Sequence, residues 1–253
     1  MAIDLNADVG ESTAALADGS EEALIQLLTS VNIACGAHAG DAQTMTLVVG
    51  IAKRHRVAVG AHPGYPDKEN LGRVKLQMSS EEISGTVHEQ IRLLADIGRA
   101  CGISIGHVKP HGALYNMAAR DPVVARAIAD GVARMTRKVI LVGLAGSLML
   151  KAWEDVGFVV AAEAFADRTY EPDGSLRSRR FDNALITDPH AAAEQAARIV
   201  LGEHVIASNG SRVPIKAQTI CIHGDTPRAS DIATAVRRRL QNSGVEIAAL
   251  DPR

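Results

Sequence analysis

The sequence is poor in aromatic residues, with three Phe, three Tyr and one Trp among 253 residues. Proteins that hold single-stranded nucleic acid stack its bases on aromatic side chains, so a surface of that kind is not expected. The charge is near balance, at -2 overall, and gives no basic face that would release counterions from a phosphate backbone. We therefore predict no nucleic-acid partner and a core built mainly from Ala, Val, Ile and Leu.

Cysteines and long apolar runs are equally scarce. The three cysteines are odd in number and form no CxxC pair, which is typical of reduced thiols in a cytoplasmic protein. No run approaches the roughly 18 apolar residues needed to span a bilayer. Acidic residues occur in the opening segment MAIDLNADVGE, which lacks the apolar region of a secretory signal. We expect a cytoplasmic protein with no membrane partner.

Short β-branched runs alternate with longer helical patterns along the chain. Helix-start signals at Ser79, Asp121-Pro122, Asp188-Pro189 and Ser230 precede apolar residues at helical spacing. The predicted strands cover residues 3–8, 31–35, 57–61, 103–109, 139–143, 158–163 and 219–223, with a weaker one at 245–250. Alternation of this kind indicates parallel strands joined by crossover helices.

The chain shows no linker, low-complexity tract or change of composition, so we predict one domain over residues 1–253. Seven or eight βα units in this length match a (β/α) barrel. A doubly wound open sheet is the alternative, because strand order cannot be read from the sequence.

Reactive side chains concentrate at the predicted strand ends, where parallel α/β folds carry their chemistry. His38, His62, His111 and His223 each close an apolar run and have a glycine within the next two positions. Carboxylates lie among them, at the ends of the first, sixth and seventh strands. We expect these side chains to share one cavity, although any single histidine there is more often an ordinary hydrogen-bonded loop residue.

Several of these residues also have a purely structural interpretation. Asp4, Asn6 and Asp8 alternate with apolar residues and therefore share one face of a strand, which in a barrel can be a polar inner layer. Asp167-Arg168 can be a surface ion pair.

Three chemistries could use such a cavity. The first is a divalent metal held by Asp8, His38 and His62. The second is metal-free acid–base catalysis, with Lys109 or Arg168 holding an anionic substrate. The third is phosphoryl transfer, but the sequence contains neither GxxxxGK[ST] nor GxGxxG, so no ordinary nucleotide site is visible. HExxH and GxSxG are also absent.

Six sequence blocks, taken together and in order, resemble the signatures of the LamB/YcsF family, the A subunits of 5-oxoprolinase. The blocks are DLNADVGE, NIACGAHAGD, GAHPGYPD, HVKPHGALYN, EAFADRTYEPDGSL and ICIHGD. They cover the chain from about residue 2 to residue 250. Each block alone is a weak signal, whereas six in the same order are highly specific.

The resemblance implies an α/β fold, a distorted (β/α) barrel of about seven parallel strands similar to the glycoside hydrolase/deacetylase superfamily. It implies the ATP-dependent opening of 5-oxo-L-proline to L-glutamate, in an assembly with subunits B and C. The cofactors expected from it are ATP, on this chain or on the partner subunits, and a divalent metal. The alternative function is that of a stand-alone metal-dependent amidohydrolase or deacetylase that acts without ATP.

Opening a lactam needs a cation for the substrate carboxylate, a base for water and an acid for the departing nitrogen. We assign binding of the substrate carboxylate to Arg168 or Lys109. We assign proton transfer to His111 or His223, oriented by Asp225 or Glu163. The predicted catalytic residues are Asp8, His111, Glu163, His223 and Asp225. The predicted substrate-binding residues are Asn6, Lys109 and Arg168, and the predicted metal ligands are Asp8, His38 and His62.

Overall fold

The structure, a computed structural model, describes residues 1–251. The strands are β1 (Ala2–Val9), β2 (Ser30–Ala34), β3 (Ala58–His62), β4 (Ile105–Val108), β5 (Ile140–Leu144), β6 (Val159–Phe165), β7 (His204–Ile206), β8 (Arg212–Pro214), β9 (Thr219–Cys221) and β10 (Glu246–Ile247). The helices are α1 (Thr13–Ala17), α2 (Ser20–Ile25), α3 (Ala42–His55), α4 (Ser80–Ala100), α5 (Gly112–Ala118), α6 (Pro122–Ala133), α7 (Leu148–Glu154), α8 (Pro189–Gly202) and α9 (Ala229–Asn242). Within residues 1–251, no helix combines the length and apolar character needed to cross a bilayer.

Seven of the strands form a closed parallel barrel. The order around the ring is β1, β2, β3, β4, β5, β6 and β9, and β9 pairs with both β6 and β1. The pairing of Asp4 with Thr219 belongs to this closure between the first and last strands. The predicted barrel is therefore confirmed, and the open-sheet alternative is wrong because the ring has no free edge.

Two elements near the C-terminus differ from the predictions. The weak strand predicted at 245–250 is only the two-residue β10, which pairs with Ala2 and Ile3 of β1 outside the ring. An antiparallel hairpin of β7 and β8, which was not predicted, lies between α8 and the last barrel strand. The connection between the barrel strands β6 and β9 is consequently longer than that of a simple βα repeat, because it contains α8 and this hairpin.

Side-chain caps define three of the four helix starts that the sequence predicted. The fourth helix, α9, is not capped by Ser230, because it begins at Ala229 and its N-cap is Arg228, which makes no side-chain cap bond. Ser79 accepts from the backbone N–H of Glu82, and the Glu82 carboxylate accepts from the backbone N–H of Ser79, a capping box that begins α4. Asp121 and Asp188 cap α6 and α8, each followed by proline in the first turn. These helices cover the outside of the barrel, where the outward side chains of the strands pack against them.

The inside of the barrel carries a polar layer. Asp4 accepts hydrogen bonds from the hydroxyls of Thr29, Ser30 and Thr219, at 2.5 to 2.8 Å. The Asn6 amide donates to Thr219 Oγ1 at 2.7 Å and to the Glu163 carboxylate at 3.1 Å. Buried polar groups are tolerated only when they are bonded in this way. The structural interpretation of the alternating polar residues of β1 is therefore confirmed for Asp4 and Asn6.

Gly60 makes room for a histidine in the same layer. A Cβ atom at Gly60 would lie 2.1 Å from His107 Nε2, a distance that no side chain could accept. His107 is buried there, and its Nε2 lies 2.9 Å from Asn32 Oδ1. Burial lowers the pKa of His107 to about 4, so its ring is neutral at pH 7.

Candidate active site

A cavity of about 820 Å³ opens over the C-terminal ends of the barrel strands. Its walls include residues that follow β1, β3, β4, β6 and β9, as expected for this class of fold. Of the predicted site residues, Asp8, His62, Lys109, His111, Arg168, His223 and Asp225 line it. His38 is buried behind two of them, and Asn6 and Glu163 lie in the polar layer beneath.

Three of the four strand-end histidines lie against one another. The rings of His38 and His111 are stacked with centroids 3.9 Å apart, and His62 meets His111 edge-on at 4.8 Å. Glu11 joins them, because its Oε1 atom is 3.1 Å from His111 Nδ1 and 3.3 Å from His38 Nε2. These four residues, here called the Glu–His cluster, offer one carboxylate oxygen and three ring nitrogens within 4.8 Å of one another.

Hydrogen bonds to carbonyls fix the tautomers of two of these rings. His62 Nδ1 is 2.7 Å from the Lys109 carbonyl oxygen, and His111 Nε2 is 2.8 Å from that of Leu71. Since a carbonyl only accepts, both of these nitrogens carry protons. The remaining nitrogens, His62 Nε2 and His111 Nδ1, face each other at 2.9 Å. Two neutral rings would set lone pair against lone pair, so this arrangement needs a proton or a cation between them.

The carboxylates next to these rings are ionised. Burial alone would raise the pKa of Glu11, but its close contacts with the rings of His111 and His38 outweigh burial and hold the pKa well below its usual range. Burial also opposes ionisation of Asp8, whose pKa is nevertheless lowered well below its ordinary value by the charges of His62 and Lys109. Burial lowers the pKa of His38 to about 4 despite Glu11, so that ring is neutral. The cluster thus offers an anionic oxygen beside three imidazole rings, a donor set suited to a divalent transition metal.

Asp8 lies beside this cluster rather than within its four-atom group. Its Oδ2 atom is 3.3 Å from His62 Nε2, and its Oδ1 atom accepts from Lys109 Nζ at 2.9 Å. Asp8 was predicted to share a metal with His38 and His62. Among the described residues, the carboxylate that contacts His38 is instead that of Glu11. Glu11 follows the same strand end but was not predicted as a ligand. It is delivered by a turn in which Gly10 has a positive φ of 77°.

Lys109 lies between two carboxylates. Its ammonium group donates to Asp8 and is 2.8 Å from Glu163 Oε1, and it is also 3.2 Å from Cys221 Sγ. Burial would lower the pKa of Lys109, but the charge of Asp8 above all raises it well above normal. Tyr115 donates to the other oxygen of Glu163 at 2.8 Å. Glu163 therefore holds Lys109 and Tyr115, and it contacts neither of the histidines that it was predicted to orient.

His223 lies on another wall of the cavity, stacked on Phe165 with centroids 5.2 Å apart. Its Nδ1 atom is 3.0 Å from Asp167 Oδ1. Asp167 also accepts from the backbone N–H of His223 and from the hydroxyl of Thr226. The orienting carboxylate of His223 is thus Asp167, which has the advantage over Asp225 of being buried and already fixed by two other bonds. An Asp–His pair of this form is suited to moving protons.

The remaining predicted residues, Arg168 and Asp225, belong to the loops around the cavity. Arg168 donates to the carbonyls of Arg177 and Ala184, so it fixes the loop that follows β6. Asp225 accepts from Arg73 and Arg179, both at 2.7 Å, and ties together the loops that follow β3, β6 and β9. It orients neither His111 nor His223, because its oxygens are occupied by these arginines.

Comparison with known proteins agrees with the fold and with the sequence blocks. The LamB/YcsF family model matches residues 3–253. The A subunit of 5-oxoprolinase from Chloroflexus aggregans is 50% identical over 247 residues, covering 98% of this chain and 98% of that protein. The lactam utilization protein of Thermus thermophilus superimposes with a TM-score of 0.91 at 43% identity, covering 99% of this chain and 100% of that one. A family 4 carbohydrate esterase from Streptomyces lividans shares the fold, with a TM-score of 0.50 at 11% identity over 99% of this chain and 93% of that one. The chain belongs to the LamB/YcsF family.

Proposed function

We propose that this chain is the A subunit of an ATP-dependent 5-oxoprolinase, which opens 5-oxo-L-proline to L-glutamate with hydrolysis of ATP. The observation that carries the proposal is a cavity in which the Glu–His cluster and the His223–Asp167 pair both reach the ends of the barrel strands. Relatives at 50% and 43% identity over nearly the whole chain bear names that refer to 5-oxoproline or to a lactam. The reaction class is hydrolysis of a cyclic amide.

The chemistry asks for two proton transfers. Water bonds to the carbonyl carbon and loses a proton, the carbon–nitrogen bond breaks, and the departing nitrogen gains a proton. We propose that His223 donates the proton to the departing nitrogen. Asp167 fixes the Nδ1–H of His223, and within residues 1–251 its Nε2 atom has no hydrogen-bond partner. We assign removal of the proton from water to the Asp8 carboxylate, which lies beside the Glu–His cluster. Lys109 holds Asp8 in place by its ion pair.

A divalent metal fits the Glu–His cluster. The facing nitrogens of His62 and His111 require a positive charge between them, and Glu11 supplies an anionic oxygen at 3.1 Å from His111 Nδ1. We propose Glu11, His38, His62 and His111 as the residues that would hold it, with Asp8 next to them. When bound, such a cation would supply Lewis-acid polarisation of an oxygen in the cavity.

We further propose that ATP is bound by partner subunits B and C rather than by this chain. The sequence carries no GxxxxGK[ST] or GxGxxG motif, and the barrel and its loops account for the described residues. The resonance-stabilised amide of an unstrained five-membered ring is slow to hydrolyse, which explains a need for coupling to ATP. A cytoplasmic location is part of the same proposal.

The second candidate is a stand-alone metal-dependent amidohydrolase or deacetylase. The observation in its favour is the Glu–His cluster itself, since three imidazoles and a carboxylate are also the donors of hydrolases that need no ATP.

One assay separates the two candidates. Glutamate released from 5-oxo-L-proline is measured with the purified chain alone and with subunits B and C, each with and without ATP. Glutamate formed only in the complete mixture supports the 5-oxoprolinase assignment. Amide cleavage by the chain alone, without ATP, supports the second candidate. No glutamate in any mixture contradicts both assignments for this substrate.

A further inference from the structure

Two arginines from different loops converge on one carboxylate at the edge of the cavity. Arg73 and Arg179 each donate to Asp225 Oδ2 at 2.7 Å, and Arg179 also donates to Oδ1 at 3.2 Å. All three residues line the cavity and are between 30% and 40% exposed. We refer to these three residues as the arginine pair and its Asp225 bridge. Their summed charge is positive, because two guanidinium groups share one carboxylate.

The floor of the cavity carries carboxylates. Asp8 and Glu11 line it. The Lys109 ammonium group beneath them is already shared between Asp8 and Glu163. A carboxylate on a bound molecule is therefore attracted by the arginine pair rather than by the side chains of Asp8 and Glu11.

Two other arginine side chains of this cavity, those of Arg168 and Arg177, are committed to holding loops. Arg168 donates to two backbone carbonyls, and Arg177 donates to Glu171 and Asn183. A guanidinium carries five N–H donors. Within residues 1–251, the side chain of Arg73 uses one of them and that of Arg179 uses two, all toward Asp225. The pair thus keeps donors for a second carboxylate, while Asp225 keeps the two groups together.

The loop connections link the arginine pair to both histidine walls. Arg73 follows Leu71 by two residues, and the Leu71 carbonyl accepts from His111. Asp225 follows His223 by two residues, and His223 is fixed by Asp167. A small molecule that is held at the arginine pair is therefore placed beside the loops that carry His223 and the Glu–His cluster.

We propose that Arg73 and Arg179 form the subsite for the carboxylate of the substrate and thereby orient the lactam ring toward the Glu–His cluster. The inference rests on the proposed function and refines it, since it replaces Lys109 and Arg168 as the carboxylate-binding residues. It makes the chain selective for lactams with a carboxylate over neutral lactams. Asp225 is a positioning residue, which fixes the two guanidinium groups before the substrate arrives.

The test compares two lactams that differ only in the carboxylate. Dissociation constants of 5-oxo-L-proline and 2-pyrrolidinone are measured by calorimetry for the wild-type chain and for Arg73→Gln, Arg179→Gln and the double variant. The ratio of the two affinities should fall about tenfold or more in each variant, with 2-pyrrolidinone unchanged. Arg239→Gln is the matched control, because Arg239 is 37% exposed, is paired with Glu194 and lies outside this cavity.

Circular dichroism checks that each variant is folded. A ratio that stays at the wild-type value in both arginine variants overturns the subsite, even if the chain is active on 5-oxo-L-proline. The same titration with cyclopentanecarboxylate, which has one ring carboxylate and no amide, tests the arginines independently of the reaction. Binding that is weakened by Arg73→Gln and Arg179→Gln supports the subsite, and binding that is absent from the wild type or unaffected by the substitutions contradicts it. Absence of glutamate formation by the wild-type chain with its partners would instead count against the proposed function.

Discussion

Glu21 is a buried acid whose protonation should control part of the stability of the chain. It lies in the first turn of α2 and is only 8% exposed. Its Oε1 atom accepts from the backbone N–H of Gly10 at 2.7 Å, whereas its Oε2 atom is buried with no hydrogen-bond partner among the described residues. Burial above all raises the pKa of Glu21 from 4.5 to about 7, and the charge of Glu11 adds to the effect.

The sign of the pH dependence follows from that direction. Because the folded pKa lies above the unfolded one, the folded chain binds the proton more tightly than the unfolded chain. The contribution of Glu21 to stability is fully present below pH 4.5 and is lost as the pH rises through about 7. Each tenfold difference in proton affinity is worth about 1.4 kcal/mol, so the loss above pH 7 is about 3 kcal/mol.

Glu21→Gln should remove that loss. Glutamine keeps an acceptor for the Gly10 N–H and has no charge to bury. At about pH 8 the variant should be more stable than the wild type by up to about 3 kcal/mol, a rise of roughly 6–12 °C in melting temperature. At about pH 4 the two proteins should melt close together. The assay is thermal unfolding of both proteins at the two pH values.

Glu22 provides the matched control for Glu21. It is the next residue of α2, but its exposed carboxylate pairs with Arg54 and His55, which lower its pKa. Relative to the wild type, Glu22→Gln should therefore be slightly less stable at about pH 8 than at about pH 4. An effect of Glu21→Gln that is the same at both pH values would show that the buried charge is not the cause of the lost stability.

Other substitutions test the barrel interior and the two walls of the site. Gly60→Ala should lower the free energy of unfolding by about 2–3 kcal/mol in a denaturant titration, because the added Cβ would lie 2.1 Å from His107 Nε2; wild-type stability would contradict that packing. Asp167→Asn should lower turnover in the complete enzyme by about 10²-fold or more, since the charge that fixes His223 is lost. Normal turnover with an unchanged melting temperature would show that the Asp167–His223 pair takes no part in the reaction. His62→Ala should abolish the binding of Zn²⁺ or Mn²⁺ measured by calorimetry. Lys216→Ala, which changes an exposed residue outside the cluster, should leave metal binding intact. Equal binding by both variants would disprove the metal site.

The sequence predicted the parts of the fold that depend on local pattern. Alternation in β1 predicted that Asp4 and Asn6 share one face, and helix caps predicted the starts of α4, α6 and α8. Parallel strands bring their C-terminal ends together, so the meeting of His38, His62 and His111 followed from the barrel. These predictions succeed because each depends on spacing along one element or on the topology as a whole.

The pairing of carboxylates with histidines could not be predicted in the same way. Glu11 reaches the histidines through an irregular turn at Gly10, and Asp167 rather than Asp225 reaches His223 because of how two loops pack. Such contacts depend on loop conformations that have no period. The β7–β8 hairpin did have a signal, since Asn209-Gly210 is a typical hairpin turn between short apolar runs.

The short helices α1, α2, α5 and α7, with five to seven residues each, are too brief for a periodic pattern to identify. One of them carries Glu21, so a buried acid with a raised pKa at the edge of the site escaped the sequence-based prediction. When a short helix is not predicted, the burial of its side chains is not predicted either.

We propose that the Glu–His cluster of this chain takes part in opening the lactam within a larger enzyme. The most direct measurement is glutamate formation from 5-oxo-L-proline and ATP by the chain with subunits B and C, comparing the wild type with His111→Ala. We predict that the variant remains folded but forms glutamate at least about 10²-fold more slowly, because the nitrogen facing His62 and Glu11 is lost. Near-normal glutamate formation by the folded variant would show that the Glu–His cluster does not carry the reaction.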